Sequence, residues 1–313
     1  MTRIHYTASY IVAPTNPLTV NLIGAGGTGS KVLTELVRIN YALQAFNHPG
    51  LHVRLFDGDK VTRANLGRQL FYEAEVGMYK AVALINRCNR GHGTNWKAMP
   101  EHYGPDILQE NSLIASANIT LSCVDKVKPR FQIGKVLSNV ANHYQHHYNR
   151  PYYWVDFGNN THTGQVILAT VGEHKQPPSN VYETVKHLPP ITEEFKEELR
   201  QQAKSEKDEP SCSQAEALTR QDLYINTEVA IKGMRLLYNM FRKAHIVTVL
   251  GADYKEAKSS LLIALAKKRW TLQAVKSATA TAVAFAFYLK EGYPFADHST
   301  YSAFPLPAPP TIL

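Results

Sequence analysis

Apolar residues along the first 170 positions keep changing between two rhythms. Val20–Ile23 is a short, largely apolar run that stops at glycine, as a buried strand does. From Thr28 to about Gln44, Val32, Leu33, Leu36, Val37 and Ile39 return at helical spacing. After a turn at His48–Gly50, Leu51–Phe56 predicts a second strand. Gly77–Asn89 predicts a second helix, with Ala81, Val82, Leu84 and Ile85 apolar. Trp96–Met99 reads as a short strand and Asp106–Asn111 as a short helix. Ile119–Val124 is strand-like and ends at Asp125; Arg130 to about Tyr144 is helical. Tyr152–Phe157 and Gln165–Thr170 are further strands, split by the turn sequence GNNTHTG. Strands alternating with helices predict an α/β fold with a doubly wound, mainly parallel sheet.

The pattern changes at residue 174. HKQPPSNVYETVKHLPPITEEFKEELRQQAKSEKDEPSCSQ is rich in Pro, Glu and Lys and poor in large apolar residues. Such a stretch buries little surface, so an exposed, partly mobile excursion is expected. Leu223–Phe241 is a strongly amphipathic helix. Residues 245–263 and 271–289 fit helix or strand, and the tail FPLPAPPTIL reads as extended. HYTASYIVAPT, near the start, looks like a strand. The chain therefore divides into a nucleotide-binding core over 1–173, a crossover segment over 174–222, and a stretch over 223–313 that rejoins the same domain.

Composition narrows the class. With 313 residues, 44% hydrophobic and 19% charged, the chain can form a large core in an ordinary globular protein. It holds no run of eighteen apolar residues, and its start lacks the basic-then-apolar layout of a signal peptide. No membrane association is expected. Three scattered cysteines, Cys88, Cys123 and Cys212, point to a reducing compartment, and a cytoplasmic location is expected. No C-x-x-C pair is present, so no structural zinc is expected. The net charge of +8 is spread out, with small clusters at Lys126–Arg130 and Lys267–Arg269. No nucleic-acid motif accompanies them, so nucleic acid is not an expected partner. A basic surface of this kind can steer an acidic protein or a polyphosphate.

The chemistry begins at GAGGTGS, between a strand and a helix. Gly24, Gly26, Gly27 and Gly29 let backbone amides approach a phosphate closely. The strand LHVRLF then delivers Asp57 to the sheet edge, where a carboxylate can accept from ribose hydroxyls. Together these features indicate a nucleotide or dinucleotide site. The spacing is G-x-G-G-x-G rather than G-x-G-x-x-G, and its paired glycine suits a triphosphate.

GAGGTGS, FDGDKVTRANLGRQ, GMYKA and CVDKVKPR occur in order over roughly residues 18–170. In this order and spacing they resemble the ThiF/MoeB/HesA family, adenylating enzymes related to ubiquitin-activating enzyme. The segment PSCSQAEALTRQDLYIN resembles the ThiF-related proteins of PRTRC plasmid cassettes in particular. The resemblance implies a Rossmann-like adenylation domain that uses ATP and Mg²⁺. It would adenylate the C-terminal glycine of a small ubiquitin-like protein, with a conjugating enzyme as a further partner. It also implies that Asp57 takes the ribose, that Asn65 and Arg68 meet the phosphates, and that Lys80 contacts ribose or phosphate. Asp125 would hold Mg²⁺, a role suited to a carboxylate at the end of a strand. Read singly, Arg68 could be a surface ion pair and Asp125 a helix N-cap. Asp59 and Gln69 read as supports of the loop. A homodimer is expected from the resemblance, and also because the apolar face of 223–241 looks larger than one subunit can bury.

The chain departs from the family pattern in two places. The Arg-Tyr pair that many members carry in an N-terminal helix is replaced by HYTASYIVAPT, and the zinc C-x-x-C pairs are missing. Cys212 is either an incidental loop cysteine or, by resemblance, the thiol that takes the activated carboxylate as a thioester. A helix starting at Ser213 would lower its pKa, and Glu206, Asp208 and Glu209 would raise it. Cys123 reads as core, Cys88 as helical, and His146–His147 as a surface patch. Two other classes remain open. An NAD-dependent oxidoreductase on the same fold is opposed by NLGRQ and Asp125. A non-catalytic scaffold is opposed by the intact Asp57, Arg68, Lys80 and Asp125.

Overall fold

The computed structural model describes residues 3–159, 163–206, 223–248 and 287–288. Among these, seven strands form one sheet in the order β10-β7-β6-β5-β2-β3-β4. They are β2 (Leu18–Ile23), β3 (Leu51–Phe56), β4 (Lys97–Met99), β5 (Ile119–Ser122), β6 (Tyr153–Asn159), β7 (Thr163–Thr170) and β10 (Phe287–Tyr288). The run from β4 through β3, β2 and β5 to β6 is parallel, with Leu22 level with Leu55 on one side and Leu121 on the other. β7 and β10 add to the β6 edge antiparallel. Every residue of β2 and of β5 is buried, as expected for parallel strands covered on both faces.

Helices cover both faces, so the sheet is doubly wound as the strand–helix alternation predicts. On one face, α2 (Gly27–Ala45) and α3 (Lys80–His92) place Val32, Leu36, Ala81 and Leu84 in a single core with Leu22, Leu55 and Leu121. On the other, α4 (Ile107–Ala115) and α5 (Val127–His143) pack Ile107, Ile133, Val136 and Val140 against Ile23, Phe56 and Trp154. A second sheet, β8-β1-β9, joins β1 (Arg3–Tyr6), β8 (Glu183–Thr184) and β9 (His245–Thr248). The strand expected at the N-terminus ends at Tyr6, and α1 (Ser9–Val12) follows it. α3 begins at Lys80 rather than Gly77, because Gly77 takes a φ of +91° in the turn before it. Among the described residues, no helix is long and apolar enough to cross a membrane.

The structure corrects two expectations. The segment from residue 174 is not simply an exposed excursion. Its described part runs through β8, α6 (Ile191–Glu194) and α7 (Lys196–Ser205). Leu188 (1% exposed), Ile191 (1%) and Leu199 (4%) are core residues. A few apolar residues, well spaced, anchor a polar stretch whose average composition hides them. Secondly, the amphipathic helix α8 (Ile225–Lys243) buries its apolar face within the chain. Val229, Met234, Leu237 and Met240 join the core that holds Leu33 and Leu36 of α2. Each such side chain contributes about 1.5–3 kcal/mol by leaving water. That face therefore gives no reason to expect a second copy. Cys212, the C-terminal tail, and the undecided stretches beyond Thr248 other than β10 lie outside the described residues.

Candidate active site

β2, β3 and β5 end side by side, so the loops that follow them gather at the carboxyl edge of the sheet, the place of the ligand crevice in open α/β sheets. Gly24 follows β2 with φ +94°, and its N–H donates to the Phe56 carbonyl at 2.9 Å. A Cβ there would lie 2.7 Å from the Cys123 carbonyl oxygen, so only glycine fits. α2 starts at Gly27 behind Gly26, and no side chain caps it. A Cβ on Gly26 would meet nothing within 4 Å, so this side of the loop is open. The first-turn amides of α2 have no intrahelical partner, which makes the opening receptive to a phosphate.

Asp57 braces the loop. Its Oδ2 accepts the Ala25 N–H at 2.7 Å and its Oδ1 accepts the Asp59 N–H at 2.9 Å. The residue is 9% exposed. Burial raises its carboxyl pKa above the usual range, with Lys80 and the two amides pulling the other way. Lys80, the first residue of α3, is buried along its stem and places Nζ 3.0 Å from Oδ2 of Asp59. Asp59 itself is open to solvent, with His102 Nε2 at 4.0 Å from its other oxygen. Asp59, read in the sequence as a loop support, is a surface carboxylate at the rim of the crevice.

The NLGRQ run forms a tight turn. Asn65 Oδ1 accepts from the Thr62 N–H at 2.8 Å and from the Thr62 hydroxyl at 3.1 Å. Gln69 is buried and donates its N–H to the Asn65 carbonyl at 3.0 Å. Arg68 is half-buried; burial lowers its pKa, and the charge of Asp125 works in the opposite direction. Arg68 and Asp125 are thus brought together across the crevice. Asp125 is exposed and does not cap α5, which begins behind Lys126 with no side-chain cap. The carboxylate of Glu206 instead takes the Val127 N–H at 3.0 Å. The loop that carries Asp125 is braced by Arg130. Its Nη2 donates to the Val124 carbonyl at 2.7 Å, while its Nε meets buried Asp156 at 3.1 Å.

Three further residues went unnoticed in the sequence. The Thr28 hydroxyl lies 2.9 Å from Oδ1 of Asn226 and 3.2 Å from Oδ1 of Asn159. Asn226 is 3% exposed and its amide lies against Gly27, so α8 packs onto the amino end of α2. An amide on the buried face of an amphipathic helix was the available signal. The two described thiols are poor nucleophiles: burial pushes Cys88 up to about 11 and raises Cys123 well above the thiol range. Among the described residues, no three His, Cys, Asp or Glu side chains gather around a common metal position. A lone carboxylate such as Asp125 fits Mg²⁺, which takes one or two protein carboxylates together with phosphate oxygens and water.

Comparison with known proteins places these features. A model of the ThiF family matches residues 16–283. Comparison with curated protein sequences finds no match. Among solved structures, E. coli MccB with succinimide is similar at 17% identity and a TM-score of 0.45, over 73% of this chain and 56% of that one. E. coli MccB with AMPCPP and MccA is similar at 16% identity and a TM-score of 0.45, over 72% and 56%. PaaA is similar at 12% identity and a TM-score of 0.44, over 75% and 61%. The chain thus spans under two thirds of the length of these structures. The family match covers most of the sequence, including the glycine loop, Asp57, the NLGRQ turn, Lys80 and Asp125, and the chain belongs to the ThiF family.

Proposed function

We propose that the protein uses Mg·ATP to adenylate the C-terminal carboxylate of a small protein or peptide. A partner carboxylate oxygen attacks the α-phosphorus, the bond to the β-phosphate oxygen breaks, and pyrophosphate leaves. No proton has to move, so the requirement is alignment and charge neutralisation. The arrangement that supports this reading most is the open glycine loop bordered by Arg68, Lys80 and Asp125. Loop amides and the two cations would take the phosphates, and Asp57 would hold the loop while facing the ribose. Asp125 would hold Mg²⁺, which when bound neutralises phosphate charge.

The partner in this reading is a ubiquitin-like protein ending in glycine, as in the cassette relatives that the PSCSQAEALTRQDLYIN segment resembles. Cys212 would then attack the acyl adenylate, form a thioester and release AMP before handing the acyl group to a conjugating enzyme. A homodimer belongs to the same proposal. The test is exchange of labelled pyrophosphate into ATP with a small ubiquitin-like protein ending in glycine. Partner-dependent exchange is expected; label entering ATP equally without any carboxylate partner refutes the reading.

A further inference from the structure

A cavity lies at the opposite edge of the sheet from the glycine loop. It holds about 690 Å³ between the amino ends of β2 and β3 and the carboxyl ends of α2 and α3, with Thr19, His52, Arg54, Gln44 and His92 on its walls. That volume suits a small molecule. Thr19 and Gly24 lie at opposite ends of β2, roughly 16 Å apart at strand rise, so the cavity is separate from the candidate active site. We propose that this cavity is a second ligand site, which binds a small oxyanion, carboxylate or phosphate, on the guanidinium of Arg54.

Arg54 is 8% exposed, and both of its hydrogen bonds go to neutral acceptors. Nε donates to Oδ1 of Asn21 at 2.8 Å and Nη2 to the Ser116 carbonyl. Among the described residues, no carboxylate lies within ion-pair distance of it and Nη1 has no hydrogen-bond partner. Burial lowers the guanidinium pKa only to about 10, so it stays charged at neutral pH. A buried cation without a counter-ion is costly, and an anion in the cavity relieves that cost. The described walls contain no aspartate or glutamate. Amides of Asn16, Gln44 and Asn95 offer further donors. α2 and α3 bring partial negative charge to the rim at their carboxyl ends. Each carries about half a charge, spread over its last turn, and the Tyr41 hydroxyl already occupies the His92 carbonyl at 3.0 Å. His52, beside Arg54, is held below the usual histidine range by burial and then by the charges of Arg54 and Lys97.

Calorimetry with inorganic phosphate and, separately, with succinate tests the proposal. At least one should bind, and the tighter of the two identifies the source of the oxyanion. Arg54→Gln should abolish that binding. Because Arg54 also ties β3 to Ser116, a second variant is needed. Gln44→Glu puts a negative charge on the exposed rim and should weaken binding about tenfold or more without disturbing the fold. Failure of both anions to bind overturns the proposal. So does binding that Gln44→Glu leaves unchanged, which would place the anion at the glycine loop.

Discussion

Lys80 Nζ lies 3.0 Å from Oδ2 of Asp59, with the lysine nearly buried and the aspartate open to solvent. The lysine is held at the crevice rim by its packed stem, and the aspartate sets where its ammonium points. An ion pair this exposed contributes about 0–1 kcal/mol to stability, so its effect should appear in ligand binding instead. Asp59→Asn should raise the KM for ATP about tenfold, through misplacement of a phosphate- or ribose-binding cation. Thermal unfolding should be unchanged. An unaltered KM would place Lys80 outside the nucleotide site.

Two glycines two residues apart should separate folding from binding. Gly24→Ala strains a φ of +94° and drives a Cβ to 2.7 Å from the Cys123 carbonyl. It should destabilise the fold by about 1–3 kcal/mol in urea unfolding. Gly26→Ala meets nothing within 4 Å and should fold normally. Its methyl group would instead occupy the space a phosphate needs and weaken nucleotide binding. Normal nucleotide affinity in a folded Gly26→Ala variant would contradict the phosphate placement.

The sheet was legible because parallel strands announce themselves as short apolar runs, and β3 was read to its exact ends, Leu51 and Phe56. Helix starts were less legible. Gly77–Tyr79 continue the helical composition, but the chain turns there at positive φ. The motifs placed Arg68, Lys80 and Asp125 at one crevice, since loops after neighbouring strands meet by topology alone. What the motifs could not give was pairing. That Lys80 bonds Asp59, and that Glu206 rather than Asp125 serves the start of α5, depends on contacts between residues 21 and 79 positions apart. Asn226 lies 198 positions from Thr28 and carries no local signature at all. The anchors Leu188, Ile191 and Leu199 were obscured by the polar residues around them.

Acid should destabilise the protein through His174. The ring is buried among His5, Tyr152 and Tyr153, and burial, then the neighbouring His5, pull its pKa from 6.5 down to about 3. The unfolded chain then binds a proton that the folded chain refuses. Stability is complete above about pH 6.5 and is lost as pH falls below it, by about 2 kcal/mol at pH 5. Burial lowers the pKa of His5 as well, which adds in the same direction. Urea midpoints at pH 7 and pH 5 measure the loss. His174→Phe, which keeps the ring contacts, should flatten the dependence; an equally steep dependence in that variant assigns it elsewhere.

Cys212 can be tested without structural detail. If it carries a thioester, ATP and the partner should give a covalent adduct on a non-reducing gel, released by a thiol reductant. Cys212→Ala should lose the adduct and keep pyrophosphate exchange, because adenylation precedes thiol transfer. An adduct that persists in Cys212→Ala would exclude this thiol, and burial makes Cys88 and Cys123 weak substitutes.

The most direct measurement is calorimetric titration of the protein with ATP and with NAD, each with Mg²⁺, because it needs no partner. ATP should bind more tightly than NAD. Asp125→Ala and Arg68→Ala should each weaken ATP binding about tenfold or more at unchanged melting temperature. Tighter binding of NAD than of ATP, or ATP affinity that neither substitution alters, would contradict an adenylating site at this crevice.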